Sequence, residues 1–175
     1  APRGYTRAAN QGLLRSSAEM VILLNSDTVV TDWWAEKLAD ALFRTPGAGI
    51  VGPLSNAASW QSLPSIAGSG GQTAVNPLPP GVTPDDLNAL CETWTGGGVL
   101  PRVPLVHGFC FGIARQVIDR IGHFDDHHFP EGYGEENDFC FRATDAGFDG
   151  VIATHTYVFH AKTRSYAAAD RRRLS

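Results

Sequence analysis

The stretch VILLNSDTVV, residues 21–30, decides the fold, because a short apolar run ends abruptly on polar side chains. Asn25, Ser26, Asp27 and Thr28 all carry side-chain oxygen atoms and directly follow Val-Ile-Leu-Leu. Such a run is typical of a buried strand in an α/β sheet, and ligands bind where the carboxyl ends of these strands meet. Asp27 therefore either holds a divalent cation together with phosphate oxygens, or only shapes a turn and caps the next helix.

Helical and strand-like patterns alternate on both sides of this stretch. The run RGYTRAANQGLLRSSAE predicts a helix before the strand Met20–Leu24, and TDWWAEKLADALFRTPG predicts a second helix with Thr31 or Asp32 as its N-cap. A short strand is predicted at Gly49–Gly52. This alternation predicts an α/β fold with a mostly parallel sheet flanked by helices.

The second half of the chain continues the pattern after an interruption. Residues 53–84 are rich in Ser, Gly, Pro and Asn, which predicts a long loop or flap. Helices are then predicted at Asp85–Trp94, over QVIDRIG and at Glu135–Ala146, the last one ending at Gly147. The segments VPLVHGFCFGIAR, VIAT and TYVFH are strand-like.

The composition excludes several classes of protein. With 175 residues, 43% of them hydrophobic and 18% charged, the chain is predicted to form a single globular domain over residues 1–175. No apolar run approaches the roughly 20 residues that span a bilayer. Three widely spaced cysteines form neither a disulfide framework nor a zinc pattern, which favours a reducing, cytoplasmic location.

Charge is distributed unevenly along the chain. The net charge is −4, yet residues 161–175 form a basic tail with five Lys or Arg residues against one acid. Lys162 and Arg164 in this tail either contact phosphates or belong to a solvated terminus. Nucleic acid is an unfavourable partner, because the acidic body would repel it.

Two further groups of polar residues are candidates for chemistry. In HFDDHHFPEGYGEEND, residues 123–138, the histidines lack the spacing of known metal motifs and fit solvated turns. Glu135 and Glu136 stand at the first turn of a predicted helix, either as a base directed into a cleft or as acids that complement the helix dipole. His160 ends a strand beside several cations, either as a structural residue or as part of a pyrophosphate site.

Six motifs, in their order along the chain, resemble one enzyme family. They are GYTRAANQG, VILLNSDT, the helix with Trp33-Trp34, GFCFGIAR, FPEGYGEENDFCFRATDAGF and YVFHAK, and together they resemble the family 2 glycosyltransferases of the GT-A fold. The resemblance implies a Rossmann-like mixed sheet, mostly parallel. It also implies transfer of a sugar from a nucleotide-diphosphate sugar to the hydroxyl of a glycan or lipid-linked acceptor, with inversion. The implied location is the cytoplasm, including the inner face of the membrane.

The resemblance also implies roles on the donor side. Asn25-Ser26-Asp27 takes the place of the DxD motif, so Asp27 would bind Mn²⁺ or Mg²⁺ and Asn25 would lie near the diphosphate. His160 matches a late histidine that approaches the metal or the diphosphate. Lys162 and Arg164 would neutralise the diphosphate as it leaves.

On the acceptor side, the resemblance places Glu135 and Glu136 at an acidic motif. It implies that Glu136 is the catalytic base, with Asp138 as the alternative base, and that Arg142 pairs with these acids. Trp60, His107 and Gly108, together with Ser55 and Asn56 of the loop that carries Trp60, would face the donor sugar or the acceptor, although an indole is an equally good core anchor.

One feature of the family is missing from this sequence. Its members begin with an apolar strand that holds the nucleoside base, and no such strand precedes Gly4. The fold is therefore expected to be N-terminally truncated, with weak donor binding by this chain alone and self-association through exposed sheet edges.

Two rival functions remain at this point. One is a glycosyltransferase-like module that has lost catalysis and binds a glycan or a partner protein. The other is a metal-dependent hydrolase whose metal ligands are His127 and His128.

Overall fold

The computed structural model describes residues 4–68, 70, 72–95 and 98–161. Lys162, Arg164 and all of the predicted basic tail except Ala161 lie outside the described residues. In the part of the chain that is described, no helix is both long enough and apolar enough to cross a membrane.

The order of helices and strands follows the sequence pattern closely. The helices are α1 (Tyr5–Arg15), α2 (Trp34–Arg44), α3 (Pro84–Thr95), α4 (Arg115–Ile121) and α5 (Glu135–Asp145). The strands are β1 (Met20–Leu24), β2 (Thr28–Val29), β3 (Ala48–Leu54), β4 (Arg102–Val103), β5 (Cys110–Ala114), β6 (Asp149–Tyr157) and β7 (Phe159–His160). The predicted VIAT and TYVFH segments are thus one long strand, β6, followed by the short β7.

The main sheet has five strands in the order β1-β5-β3-β6-β4. Of the pairs formed by the described strands, β3 and β6 are parallel, whereas β1–β5, β5–β3 and β4–β6 are antiparallel. A mixed α/β sheet with helices packed on it is confirmed, but the expectation that it is mostly parallel is wrong. The cause is the direction of β5, which begins with Cys110 opposite Leu24, the last residue of β1, and therefore runs back across the sheet.

A separate two-stranded ribbon, β2–β7, lies beyond the end of β1. Thr28 pairs with His160 and Val29 with Phe159, and the backbone N–H of Ala161 donates to the carbonyl of Asp27 at 2.9 Å. These bonds hold the turn that contains Asp27 directly against the last strand of the chain that the structure describes.

The start of α2 differs from the predicted capping. Trp33 is the N-cap residue, with a left-handed φ of 59° and no side-chain cap. Thr31 instead donates its hydroxyl hydrogen to the carbonyl oxygen of Tyr157 at 2.7 Å. Thr31 therefore fastens the approach to α2 onto β6. The interpretations of Thr31, Asp32 or Asp27 as the cap of this helix are wrong.

The core joins the helices to the sheet through large apolar side chains. Leu13 of α1 and Leu38 of α2 are fully buried, and Phe111, Phe124 and Phe139 form an aromatic cluster with ring centroids 4.9–6.1 Å apart. Truncating one of these phenylalanines to alanine would cost about 3–5 kcal/mol. Because this cluster packs α5 on β5, the first turn of α5 has a fixed position relative to the residues that precede β5.

The predicted long loop contains little regular structure. Its described residues include a turn of 3₁₀ helix at Ser59–Gln61 and the isolated bridges Ser55–Ser62 and Ala67–Thr73. Asn76 folds the segment back on its own first part, since its side-chain amide donates to the carbonyls of Asn56 and Ser65, both at 2.9 Å. The first part of this segment is thereby held beside the end of β3.

Candidate functional site

Four chain segments converge at one edge of the main sheet. β1, β3 and β6 run in the same direction, so the residues after them meet there. β5 runs in the opposite direction, so the residues before it arrive at the same edge. The edge thus brings together polar residues that are far apart in sequence, which are Asn25, Asp27, Ser55, Asn56, His107 and His160.

Asp27 and His160 face each other across this edge. His160 Nε2 lies 3.5 Å from Asp27 Oδ1, and the side-chain exposures are 6% for His160 and 25% for Asp27. The turn that contains Asp27 is closed by Thr28, whose hydroxyl donates to the carbonyl of Asn25 at 2.8 Å. The pair is therefore built by β1, β2 and β7 together, with the carboxylate nearer to solvent than the imidazole.

The surroundings of His160 fix which ring nitrogen faces Asp27. His160 Nδ1 lies 3.1 Å from the carbonyl oxygen of Ala57, which can only accept, so Nδ1 carries the hydrogen. The ring stacks on Phe109 with centroids 5.1 Å apart and planes 18° apart. In the neutral imidazole, Nε2 therefore presents a lone pair toward the Asp27 carboxylate.

This arrangement fits a divalent cation. Two ligand atoms about 2.1 Å from one ion are at most about 4.2 Å apart, so the 3.5 Å separation admits an ion between Asp27 Oδ1 and His160 Nε2. A metal-binding histidine usually donates its other ring N–H to a carbonyl or carboxylate, which fixes the orientation of the ring, as Nδ1 does here toward Ala57. A protonated His160 would instead form an ion pair with the same carboxylate.

Asn56 lies beneath the site and does not face the cleft. Its side chain is buried, and it bonds the backbone of His160 in both directions, accepting from N–H at 2.7 Å and donating to C=O at 3.1 Å. Ser55 is buried beside it. The expectation that Ser55 and Asn56 face a sugar is therefore wrong, because both lie beneath the site and Asn56 holds His160 in place.

Gln61 connects β3 to the segment before β5. Its amide donates to the carbonyl of Pro53 and accepts from the backbone N–H of His107, both at 2.7 Å. His107 Nδ1 in turn accepts from the backbone N–H of Phe109 at 3.3 Å. Sequence reasoning missed Gln61, although a glutamine close to the end of a buried strand was a signal that could have indicated it.

Glu136 lies against this same segment. A β-carbon placed on Gly108 would be 3.5 Å from Glu136 Cγ, Cδ and Oε1, so the carboxylate of Glu136 lies over the backbone at Gly108. The rings of His107 and His160, on the other side of that backbone, have centroids 6.0 Å apart. His107, Gly108 and Phe109 thus connect the Asp27–His160 pair to the first turn of α5.

Glu135 is buried at the first turn of α5, directly after Gly134 in a left-handed conformation. Burial, and after it the negative charge of Glu136, raise the pKa of Glu135 to about 7. The helix dipole at this end favours the ionised form, but loss of hydration dominates.

Asp138, the alternative base, is held away from this position by an ion pair. Arg142 Nε donates to Asp138 Oδ2 at 2.7 Å, and the same guanidinium donates to the carbonyls of Ile121 and His123, each at 3.0 Å. Arg142 thus pairs with an acid of this motif, as the sequence indicated. The contacts give Asp138 a structural role in joining α5 to the end of α4.

The remaining predicted site residues are near the edge or outside the described chain. Trp60 is 56% exposed in the 3₁₀ turn, next to buried Gln61, and is therefore not a core anchor. Asn25 is partly buried, and its backbone N–H donates to the carbonyl of Phe109 at 2.8 Å. Lys162 and Arg164 lie beyond Ala161, outside the described residues.

A second group of histidines lies away from the edge. Asp125, His127 and His128 place one possible ligand atom each within 4.8 Å of one another. Asp125 Oδ1 accepts from the backbone N–H groups of His127 and His128, and its Oδ2 lies 2.6 Å from His128 Nδ1. Both histidines are exposed, so the prediction of a solvated turn is confirmed.

Comparisons with known proteins identify the fold. Neither a protein-family model nor a curated protein matches the sequence. Among solved structures, the chain resembles GalNAc-T7, crystallised with UDP, GalNAc and Mn²⁺, with a TM-score of 0.61 and 16% identity over 90% of this chain and 30% of that one. It also resembles the mannosyltransferase PcManGT from Pyrobaculum calidifontis, in complex with GDP-Man and Mn²⁺, with a TM-score of 0.53 and 20% identity over 98% of this chain and 40% of that one. The chain thus spans less than half the length of either structure, and over that span it has the GT-A fold of glycosyltransferases.

Proposed function

We propose that this chain is part of a glycosyltransferase that moves a sugar from a nucleoside-diphosphate sugar to an acceptor hydroxyl. The observation that carries the proposal is the Asp27–His160 pair, whose oxygen and nitrogen lone pairs converge at 3.5 Å. The pair lies at the strand edge of a fold shared with enzymes whose structures contain UDP or GDP-Man together with Mn²⁺. Membership of family 2, inversion at the anomeric carbon and a cytoplasmic location belong to the proposal.

Asp27 and His160 would hold Mn²⁺ or Mg²⁺ beside the diphosphate. When bound, the cation supplies positive charge that stabilises the diphosphate as a leaving group. The chain itself contributes the position of its ligands: Asn56 and Ala57 fix the imidazole, and the β2–β7 ribbon fixes the carboxylate.

Glu136 would act as the general base. It accepts the proton of the acceptor hydroxyl while that oxygen bonds to the anomeric carbon, and the bond from this carbon to the diphosphate breaks with its electron pair. Its position suits this role, because its carboxylate lies over Gly108, next to His107, whose ring lies beside that of His160. The exposed indole of Trp60 would offer a stacking surface for a sugar ring.

An NMR titration with a panel of UDP- and GDP-sugars, with and without Mg²⁺, tests the proposal and detects weak binding. The expected result is metal-dependent shifts at Asp27, Asn56 and His160, lost in Asp27→Ala. Shifts that are equal without metal, or that fall elsewhere, would overturn the proposal. Glu136→Gln should bind the nucleotide sugar in the same metal-dependent way but lose transfer. This result separates an enzyme from a module that only binds.

A further inference from the structure

Glu135 and Glu136, at the first turn of α5, each have one carboxyl oxygen that is buried and has no hydrogen-bond partner. Among the described residues, the buried side-chain oxygen and nitrogen atoms that lack a hydrogen-bond partner are Glu135 Oε2, Glu136 Oε2 and Thr156 Oγ1. Glu135 is only 5% exposed. Two ionised carboxylates side by side in such a place would be strongly unfavourable, because each charge loses hydration and repels the other.

We propose that Glu135 and Glu136 share one proton, with neutral Glu135 donating a hydrogen bond to the ionised carboxylate of Glu136. Glu135 is then a positioning residue for Glu136, and this part of the inference rests on the proposed function. A shared proton gives partners to carboxyl oxygens that otherwise have none, as in other enzymes that keep two close carboxyls at one negative charge.

Within the part of the chain that the structure describes, Arg142, the cation of α5, is not available to neutralise the pair, which leaves a proton for that role. The described ionisable side chains on the elements packed here include Tyr5 of α1, His107 before β5, Glu131 and Tyr133 of the loop before α5, and Asp138, Cys140 and Arg142 of α5. Arg142 is already paired with Asp138, and His107 Nδ1 accepts a hydrogen bond from the backbone N–H of Phe109. Burial raises the pKa of the Cys140 thiol to about 11, so it carries no charge at neutral pH.

The local backbone keeps the pair together. A β-carbon on Gly132 would lie 3.6 Å from Tyr5 Cβ and 3.8 Å from Glu135 Oε1, so the loop before α5 and the start of α1 cover Glu135. Gly108 lies against Glu136 on the other side. Consistent with this enclosure, the pKa of Glu135 is raised to about 7, by burial first and by Glu136 second.

The shared proton has a consequence for transfer. The acceptor proton moves to Glu136, so the pair holds two protons after the sugar has moved and returns one of them to solvent. Above about pH 7 the pair loses its last proton in the free protein, and two charges then lie together in a buried place. Transfer should therefore decline on the alkaline side as the orientation of Glu136 is lost.

Carbon-13 NMR of protein labelled at the glutamate carboxyl carbons tests the inference without requiring activity. The chain has six glutamates, and one carboxyl resonance should titrate with a midpoint near pH 7. That resonance should disappear in Glu135→Gln, move to a lower midpoint in Glu136→Gln, and remain unchanged in Glu19→Gln, which alters an exposed residue. A Glu135 resonance that titrates at the ordinary value would overturn the inference, whether or not the protein transfers sugar.

Kinetics with the same variants separate a positioning role from a merely structural one. If transfer is observed, Glu135→Gln should remove the alkaline decline from the pH profile of kcat, since its amide still donates to Glu136 but cannot titrate. Equal loss of activity at every pH would show a structural role and overturn the positioning role. A titrating pair in a protein without transfer would contradict the proposed function and leave the shared proton established.

Discussion

Two groups of imidazole and carboxylate side chains lie in this chain, and they differ in how the fold supports them. The inner pair, Asp27 and His160, comes from residues 133 positions apart and is joined by one two-stranded ribbon, β2–β7, and a buried asparagine. The outer cluster, Asp125, His127 and His128, lies within a single exposed turn.

The two groups differ in which of their ligand atoms already take part in hydrogen bonds. In the outer cluster, both oxygens of Asp125 are occupied by hydrogen bonds within the turn. In the inner pair, His160 uses Nδ1 for Ala57 and leaves Nε2 directed at Asp27. Proximity of ligand types alone therefore favours the outer cluster, whereas preorganisation and available lone pairs favour the inner pair as a metal site.

The largest expected effect is on metal binding. His160→Ala should weaken Mn²⁺ binding in the presence of a nucleoside diphosphate by at least about tenfold, measured as free Mn²⁺ by electron paramagnetic resonance. Asp27→Asn should do the same while retaining the buried imidazole and its stacking on Phe109. The double variant His127→Ala/His128→Ala is the matched control and should change the affinity by less than about twofold.

The opposite pattern would reverse the comparison. If the double variant lost Mn²⁺ and His160→Ala kept it, the metal would belong to the outer cluster. The interpretation as a metal-dependent hydrolase would then replace that of a sugar transferase.

A loss of folding stability is expected when the support of the inner pair is removed. Asn56→Ala deletes both hydrogen bonds to the backbone of His160 and leaves those groups buried, which should cost about 2–3 kcal/mol of unfolding free energy in urea titrations. Asn56→Asp is the matched variant, because it can still accept from His160 N–H but cannot donate to the carbonyl. Equal stability of wild type and Asn56→Ala would show that the ribbon alone positions His160.

The sequence predicted what is local to each segment. The helix α1 and the strand β1 have the predicted positions, because apolar spacing and the short apolar run determine them within a few residues. The polar group after β1 was recognised for the same reason. The direction of β5 was not predicted, because nothing within Cys110–Ala114 records which edge of the sheet the chain has reached.

The support of the inner pair depends on contacts between distant residues. Asn56 and His160 are separated by 104 positions, so no local pattern shows that the amide lies beneath the site and not in the cleft. The predicted cap at Thr31 is wrong for the same reason. Its hydroxyl donates to the carbonyl of Tyr157 on β6, a distant residue, and does not cap α2. Ligand candidates could thus be named from sequence, whereas the residues that orient them could not.

The smallest expected effect concerns the turn that holds the outer cluster. Hydrogen bonds from the backbone and side chain of His128, together with the backbone of His127, lower the pKa of Asp125 to about 2 from the ordinary 3.8. Since the folded pKa is the lower one, these bonds stabilise the turn fully above about pH 4 and are lost as the pH falls through about 2. Amide proton shifts of His127 and His128 should therefore titrate together with a midpoint near pH 2, and Asp125→Ala should abolish this titration. A midpoint near pH 4 would mean that Asp125 does not hold the turn, and its carboxylate and both imidazoles would then be as available for a metal as the inner pair.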